Sequence, residues 1–233
     1  GLSSHKDLTE AYRRALQGDP VSAFGGVVSS NRPIDLATAT EMDKTHFDAI
    51  IAPTYDDKAL EIFKRKKNLR LLSLPSAQFS LPSLSFRHIS GGFLVQTPDA
   101  ISEKEFSPRT MTKRAPTDAE MKQLAFAWKA VKSIKSNAIV LVKDEALLGM
   151  GAGQPSRVVS VKIALEKAGD KAKGSVLGSD AFFPFPDGVE LAAKGGITAI
   201  IQPGGSVRDE DAISTADRYN IAMVFTGIRH FKH

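Results

Sequence analysis

The sequence predicts an α/β protein built from two successive layered units. Short apolar runs typical of buried strands alternate with amphipathic helical stretches along all 233 residues. A polar segment at residues 98–116 contains Pro98, Pro108 and Pro116, which is typical of a linker. We therefore place one unit at residues 1–115 and a second at residues 116–233, and we expect a mostly parallel central sheet in each.

The first unit opens with a helix predicted over residues 5–17, whose apolar side chains recur at helical spacing before Gly18. The runs GGVVSS, FDAIIAP and LRLLSLP predict strands. HISGGFLVQ predicts one more strand, with a Gly-Gly pair that indicates a bulge or a close backbone approach. The stretch DDKALEIFKRKKN predicts a second helix, because acids in its first turn and bases in its last turn complement the helix dipole.

The second unit begins with TDAE, residues 117–120, which is a capping box at the start of a long helix. We assign Trp128, on the apolar face of this helix, to the core. The strand NAIVLVK follows, then the glycine-rich LLGMGAGQPSR and a helix from about Ser156. ITAIIQPGGS predicts a buried strand and a turn, DEDAISTADRYN a helix, and IAMVFTG the last strand.

The composition excludes several classes of protein. The absence of cysteine rules out disulfides, cysteine-zinc sites and a thiol nucleophile in this chain. No apolar run approaches the roughly 18 residues of a membrane span and no signal peptide is visible, so we expect a cytoplasmic protein without membrane contact. The net charge of +5 has two readings, a solvated basic surface or attraction of small anions. Basic and aromatic residues are not interleaved, so we do not expect nucleic acid as a partner.

Two glycine-rich turns follow predicted strands, MGAGQPSR at residues 150–157 and QPGGS at residues 202–206. Glycines allow the backbone to approach a ligand, and the free N–H groups at a helix start bind anions. A turn without a ligand explains each sequence equally well. Because ligands of α/β proteins collect at strand ends, two such turns favour a site.

Three polar residues, next to predicted strands or at the end of the sequence, are candidates for ligand contacts. Asn137 precedes an apolar strand, where it serves either as a turn residue or as an amide aimed at a polar ligand. Arg229 follows the last strand and belongs either to a solvated tail or to a bidentate phosphate site. His233, at the end of the sequence, is either a free terminal side chain or a contact for a polar ligand.

The motifs together resemble one family, the AICAR transformylases, which form half of a bifunctional enzyme with IMP cyclohydrolase. The resemblance rests on DPVSAFGGVV, FDAIIAPTY, KSNAIVLVK, GMGAGQPSR, SDAFFPFPDGVELAAKGGITAIIQPGGS and IRHFKH, in that order, from about Leu8 to His233. It implies transfer of a formyl group from the co-substrate 10-formyltetrahydrofolate to the 5-amino group of AICAR, in purine (IMP) biosynthesis. It also implies two cytidine-deaminase-like α/β/α subdomains, no metal, and a homodimer with sites at its interface.

The resemblance assigns site residues motif by motif. The AICAR positions are Phe24, Gly25, Asp48, Lys67, Asn137, Arg157 and Arg229, with Lys67 and Arg229 near the phosphate. The folate positions are Val158, Phe182, Asp187, Val207 and Arg208. The rings of SDAFFPFPDG can form flat walls for a pterin, and we expect at least one of Phe183 and Phe185 to lie in the core instead.

The family's catalytic Lys-His pair, in a KH-x-NP-x-G segment, does not occur in this sequence. His5-Lys6 has the reverse order and lies on a predicted helix, so no catalytic residue is assigned beyond a supporting Asn137 and the candidate His233. We therefore expect part of the enzyme, without the cyclohydrolase domain. The alternative is a non-catalytic module that binds nucleotide or folate or that mediates dimerisation.

Overall fold

The computed structural model describes residues 1–75, 83–100 and 106–232, and its architecture is α/β as predicted. The first part of the chain forms a parallel sheet of three strands in the order β1-β2-β3. The strands are β1 (Gly26–Ser29), β2 (Phe47–Ala52) and β3 (Arg70–Ser73), and the helices are α1 (Leu8–Leu16), α2 (Leu36–Met42) and α3 (Asp57–Phe63). Their core gathers Tyr12, Ile34, Phe47, Ile50 and Phe63.

Aspartate caps begin two of these helices. The side chain of Asp7 accepts a hydrogen bond from the backbone N–H of Glu10 at 3.0 Å, and Asp35 does the same for Thr38 at 2.8 Å. The second cap marks α2, which our sequence analysis did not predict. A helix of seven residues with two threonines has a weak periodic signal, so its aspartate cap was the available indication.

The expected strand HISGGFLVQ is wrong as a single element. The chain forms a hairpin there, in which β4 (Ser85–Ile89) pairs with the antiparallel β5 (Gly92–Gln96). Gly91 has a φ of +82°, a conformation that glycine adopts without steric cost. The Gly-Gly pair therefore marks a tight reversal of the chain and not a bulge.

The second part of the chain forms a sheet of six strands. Its elements are β6 (Arg109–Thr110), α4 (Asp118–Val131), β7 (Ile139–Lys143), β8 (Ala146–Gly151), α5 (Arg157–Ala168), the 3-10 helix Gly169–Ala172, β9 (Val176–Ser179), α6 (Asp187–Lys194), β10 (Ala199–Gln202), α7 (Asp209–Arg218) and β11 (Ala222–Phe225). The strand order is β6-β11-β10-β9-β7-β8. Strands β9, β10 and β11 are parallel; β10 and β11 were predicted, whereas our sequence analysis did not predict β9.

The expectation of a mostly parallel second sheet is wrong. Strand β7 runs antiparallel to both β8 and β9, and β6 runs antiparallel to β11. Asp144 and Glu145 have φ values of 52° and 53°, and this left-handed turn sends the chain straight back along β7. Part of the stretch that we read as a glycine-rich turn is therefore strand β8.

Helices cover both faces of the second sheet. On one face α4 contributes Leu124, Trp128 and Val131 to a core with β7, β9 and β10, which confirms Trp128 as a core residue. On the other face α5, α6 and α7 pack over a second core that contains Phe183. The predicted capping box is present, because Thr117 and Glu120 exchange side-chain and backbone hydrogen bonds at the start of α4.

The two parts of the chain also touch. Ser3 forms an antiparallel bridge with Ala146 of β8, and Lys167 of α5 forms an ion pair with Asp19. Residues 2–4 thus pair with the second sheet, and the division at residues 115 and 116 stays a prediction. No helix in the described ranges is long and apolar enough to cross a membrane.

Candidate functional site

A cavity of about 310 Å³ opens beside the start of α5. Because β7 is antiparallel to β8 and β9, its beginning lies at the same sheet edge as the ends of those two strands. The cavity is lined by Asn137, Pro155, Ser156, Arg157, Val158, Ala181, Phe182, Phe183, Pro184, Phe185, Asp187 and Phe231. Five of the predicted site residues, Asn137, Arg157, Val158, Phe182 and Asp187, are therefore brought together.

Arg157 is a buried cation at this cavity. Its Nη1 donates to Ser179 Oγ at 2.8 Å and pairs with Asp180 Oδ1 at 2.5 Å, while its Nη2 donates to Asn137 Oδ1 at 2.8 Å. Asp180 is itself buried and accepts a further hydrogen bond from the hydroxyl of Ser136. The charge of the guanidinium is thus balanced within the protein, as a buried ion pair requires.

The Asn137 side chain is held in one orientation. Its Nδ2 donates to the backbone oxygens of Gln154 at 3.0 Å and Pro155 at 3.1 Å, and its Oδ1 accepts from Arg157. Both amide hydrogens are therefore used, whereas an amide oxygen has two lone pairs and retains one. The arrangement leaves Asn137 an oriented acceptor for an N–H group in the cavity.

The glycines before α5 have a different role from the expected one. A Cβ on Gly151 would lie 2.0 Å from the Ser160 oxygen, and one on Gly149 would lie 2.3 Å from the Ala164 oxygen. These two glycines therefore let α5 pack closely on β8. Only Gly153, with a φ of +67° and open space around it, belongs to the turn itself.

The phenylalanines of SDAFFPFPDG divide between core and surface. Phe183 is 1% exposed and lies in the core, as expected for at least one of these rings, whereas Phe185 is 52% exposed. The guanidinium carbon of Arg229 lies 4.8 Å from the centre of the Phe182 ring, and that of Arg208 lies 5.3 Å from the Phe185 ring. Two predicted basic residues thus flank the aromatic wall.

The other residues predicted for this region are exposed to solvent or lie outside the described residues. Asp187 is exposed at the first turn of α6, and Val207 is fully exposed. Arg208 is paired with Asp211 at 2.6 Å. His233 lies outside the described residues.

The AICAR positions predicted in the first unit lie at the amino edge of its sheet. Phe24 is 73% exposed, and its ring centre lies 5.1 Å from that of His46. The His46 Nε2 is 3.6 Å from Asp48 Oδ1, and the His46 backbone oxygen accepts from Gly25 N at 2.9 Å. His46 is thus a member of the group that our sequence analysis missed, although it directly precedes the run FDAIIAP.

Lys67 is exposed in the segment that leads into β3, at the same edge of the sheet. In the described part of the chain, no hydrogen bond, ion pair or ring contact joins Phe24, Asp48 or Lys67 to the cavity at α5. The predicted AICAR residues therefore form two separate groups.

Sequence reasoning also missed Ser179 and Asp180, the partners of Arg157. The available signal was an aspartate directly after a buried apolar strand, the place where α/β proteins put functional side chains. Within residues 1–75, 83–100 and 106–232, no group of three or more histidine or acidic side chains is placed to hold a metal ion.

The chain is similar to known proteins along its whole length. Residues 1–167 match the family described as "AICARFT/IMPCHase bienzyme". The chain is 54% identical over all 233 residues to proteins named "Bifunctional purine biosynthesis protein PurH" from Bacillus thuringiensis (strain Al Hakam), Bacillus cereus (strain AH820) and Bacillus anthracis (strain CDC 684 / NRRL 3495). It covers 46% of the length of each of these relatives.

Among solved structures, Acinetobacter baumannii RibD (form 2) matches at 19% identity with a TM-score of 0.31, over 45% of this chain and 33% of that one. A likeness this low supports no argument about fold or function.

Proposed function

Because the chain belongs to the AICARFT/IMPCHase bienzyme family, we propose that it is part of an AICAR transformylase. The reaction would move a formyl group from 10-formyltetrahydrofolate to the 5-amino group of AICAR in purine biosynthesis. The chain spans about half the length of its PurH relatives, at 46%, so the proposal concerns the whole protein to which these residues contribute. One observation carries it: residues assigned to AICAR and to folate line the same cavity.

The chemistry requires orientation of a weak nucleophile. An aromatic amine attacks a formyl carbon only when it is positioned, when a base takes its proton and when the developing oxyanion is stabilised. In the proposed site Asn137 Oδ1 accepts a hydrogen bond from an N–H group of AICAR. Arg157 orients that amide through its Nη2, while its Nη1 donates to Ser179 and Asp180.

Phe182 and Val158 form the apolar side of the proposed folate site, and Asp187 is exposed to accept hydrogen bonds from ring N–H groups. Arg229, held against Phe182, can direct two parallel N–H groups at the 5′-phosphate of AICAR. Arg208 and Val207 extend the folate side, and Lys67, Phe24, Gly25 and Asp48 are proposed as further AICAR contacts.

We propose two cytidine-deaminase-like subdomains, a homodimer and a cytoplasmic location as parts of the same assignment. The strand order of the second unit supports the cytidine-deaminase-like fold. Its strands follow the order β8-β7-β9-β10-β11, with a hairpin at one end and three parallel strands at the other. The homodimer and the cytoplasmic location rest on the resemblance of the sequence motifs to the family.

The test is an assay of the full-length protein with AICAR and 10-formyltetrahydrofolate that follows release of tetrahydrofolate. We expect turnover in the wild type and a fall in kcat of at least about tenfold for Asn137→Ala, since one oriented acceptor is lost. Asn31→Ala, an exposed substitution outside both groups, is the matched control. Binding of both ligands without turnover would favour the non-catalytic binding module instead.

A further inference from the structure

His230 is a buried histidine that the proposed mechanism does not use. It is 1% exposed, its Nδ1 lies 2.7 Å from Asp99 Oδ2, and its ring centre lies 4.7 Å from that of Trp128. Its Nε2 is buried without a hydrogen-bond partner among the described residues. Because only Nδ1 has an acceptor, we place the ring proton there, donated to the carboxylate.

Asp99 connects this histidine to two other parts of the chain. It lies between β5 and β6, in the segment that links the two units, and its Oδ1 is 3.6 Å from Lys132 Nζ, just after α4. The hydrogen bond between Asp99 and His230 therefore joins residues 229–231 to the connecting segment, and the His230 ring packs on Trp128.

The residues on either side of His230 face the candidate site. Arg229 lies over Phe182, and Phe231 lines the cavity. The backbone holds the same segment, because His230 N donates to the Asp180 oxygen and Ser136 N donates to the Lys232 oxygen, both at 2.9 Å. The buried side chain of His230 is thus an anchor between two residues that the site uses.

We infer that His230 is a positioning residue for nucleotide binding, which acts through Arg229. Its bond to Asp99 keeps residues 229–231 docked, so that the guanidinium of Arg229 stands at the cavity before the ligand arrives. This inference rests on the proposed function, because the ligand group for Arg229 is the 5′-phosphate of AICAR. When the docked state is only partly populated, the apparent affinity falls by the same fraction.

The first experiment measures affinity for AICAR and for its dephosphorylated nucleoside in the full-length protein. His230→Leu keeps an apolar bulk but removes the donor, and we expect nucleotide affinity to fall about tenfold while nucleoside affinity is unchanged. His230→Asn keeps an N–H group near the position of Nδ1 and should restore most of the affinity. His5→Leu, at an exposed histidine, is the matched control.

A double variant separates positioning from a general loss of structure. If His230 acts through Arg229, His230→Leu added to Arg229→Ala should not weaken nucleotide binding beyond Arg229→Ala alone. Additive losses, or equal losses for nucleotide and nucleoside, would overturn the inference.

Trp128 provides a readout that does not depend on the ligand. It is the sole tryptophan of the 233 residues, and His230 covers one side of its ring. In a protein of these 233 residues, His230→Leu should make the fluorescence of Trp128 clearly more accessible to acrylamide, and His230→Asn should not. If the wild type binds neither AICAR nor folate, the proposed function is wrong. If acrylamide quenches Trp128 equally in the wild type and in His230→Leu, the anchoring role of His230 is wrong, whatever the ligand result.

Discussion

At the scale of single residues, the candidate site is organised around Arg157. Its side chain is 5% exposed, and its guanidinium has three polar side chains as partners, Asp180, Ser179 and Asn137. The planar fork of an arginine carries several donors in fixed directions and serves all three. The same residue thus balances a buried carboxylate and orients the amide that faces the cavity.

We expect Arg157→Met to destabilise the protein by about 3–5 kcal/mol, because it leaves the carboxylate of Asp180 buried without its cation. Arg157→Lys should be milder in stability but should still release Asn137. Urea unfolding measures the first effect. Arg70→Met, at an exposed arginine, should stay within about 0.5 kcal/mol of the wild type. A loss at Arg157 no larger than at Arg70 would contradict the paired arrangement.

A second prediction concerns Arg229. Its side chain is exposed and lies over Phe182, so it is free to form two charge-assisted hydrogen bonds with a phosphate. We expect Arg229→Ala to lower AICAR affinity by at least about tenfold and Arg229→Lys by less, with folate affinity changed little. Calorimetric titration of each ligand measures this, and an equal loss for the dephosphorylated nucleoside would refute the assignment to the phosphate.

At the scale of elements, the start of α4 is fastened to the second sheet by an ion pair. Arg114 donates to both carboxylate oxygens of Glu120, at 2.9 and 3.0 Å, and to the backbone oxygens of Asn220 and Thr198. Burial opposes ionisation of Glu120, but the hydrogen bonds from Arg114 and from the Thr117 backbone outweigh it and lower its pKa to about 2.

The lowered pKa predicts a pH dependence of stability. A carboxylate whose pKa falls on folding stabilises the protein above its unfolded pKa, so the contribution of Glu120 is complete above about pH 4.5 and is lost toward about pH 2. We expect Glu120→Gln to remove at most about 2 kcal/mol of the stability difference between pH 6 and pH 3, since the rest of the contribution is lost below pH 3. Urea unfolding at both pH values measures it. Glu61→Gln, at an exposed helix position, should leave that difference intact.

At the scale of the whole molecule, each part of the chain has its own core. Among the described residues, the core of the first part is drawn from residues 8–71, and the two cores of the second part are drawn from residues 106–228. The described contacts between the parts are few, and the ion pair of Lys167 with Asp19 is among them. That pair, with Ser22 as a further donor, lowers the pKa of Asp19 to about 2.

Separate cores predict separate folding. We expect residues 97–233, a length that retains Asp99 for His230, to unfold cooperatively in urea as an isolated polypeptide. Circular dichroism and tryptophan fluorescence should give coincident transitions. A gradual, non-cooperative loss of signal would show that the second unit depends on the first and that the division near residue 115 is wrong.

By itself the sequence determined the elements whose signals are local. The capping box of α4, the buried parallel strands β2, β10 and β11, and the burial of Trp128 all follow from spacing and side-chain type, which tertiary contacts did not override. The family motifs also pointed to five of the residues that line the cavity, because each motif can be recognised from the sequence alone.

Only the tertiary structure decided how those elements pair and what their side chains contact. The left-handed turn at Asp144 and Glu145 makes β8 a strand, and the reversal at Gly91 divides the predicted strand HISGGFLVQ into β4 and β5. The sequence did not predict either turn, because one or two residues in an uncommon conformation hardly change the hydrophobic periodicity. The partners of Arg157 and His230, Asp180 and Asp99, lie 23 and 131 positions away along the chain. Contacts at such separations are set by the packing of whole elements, and no local pattern of residues specifies them.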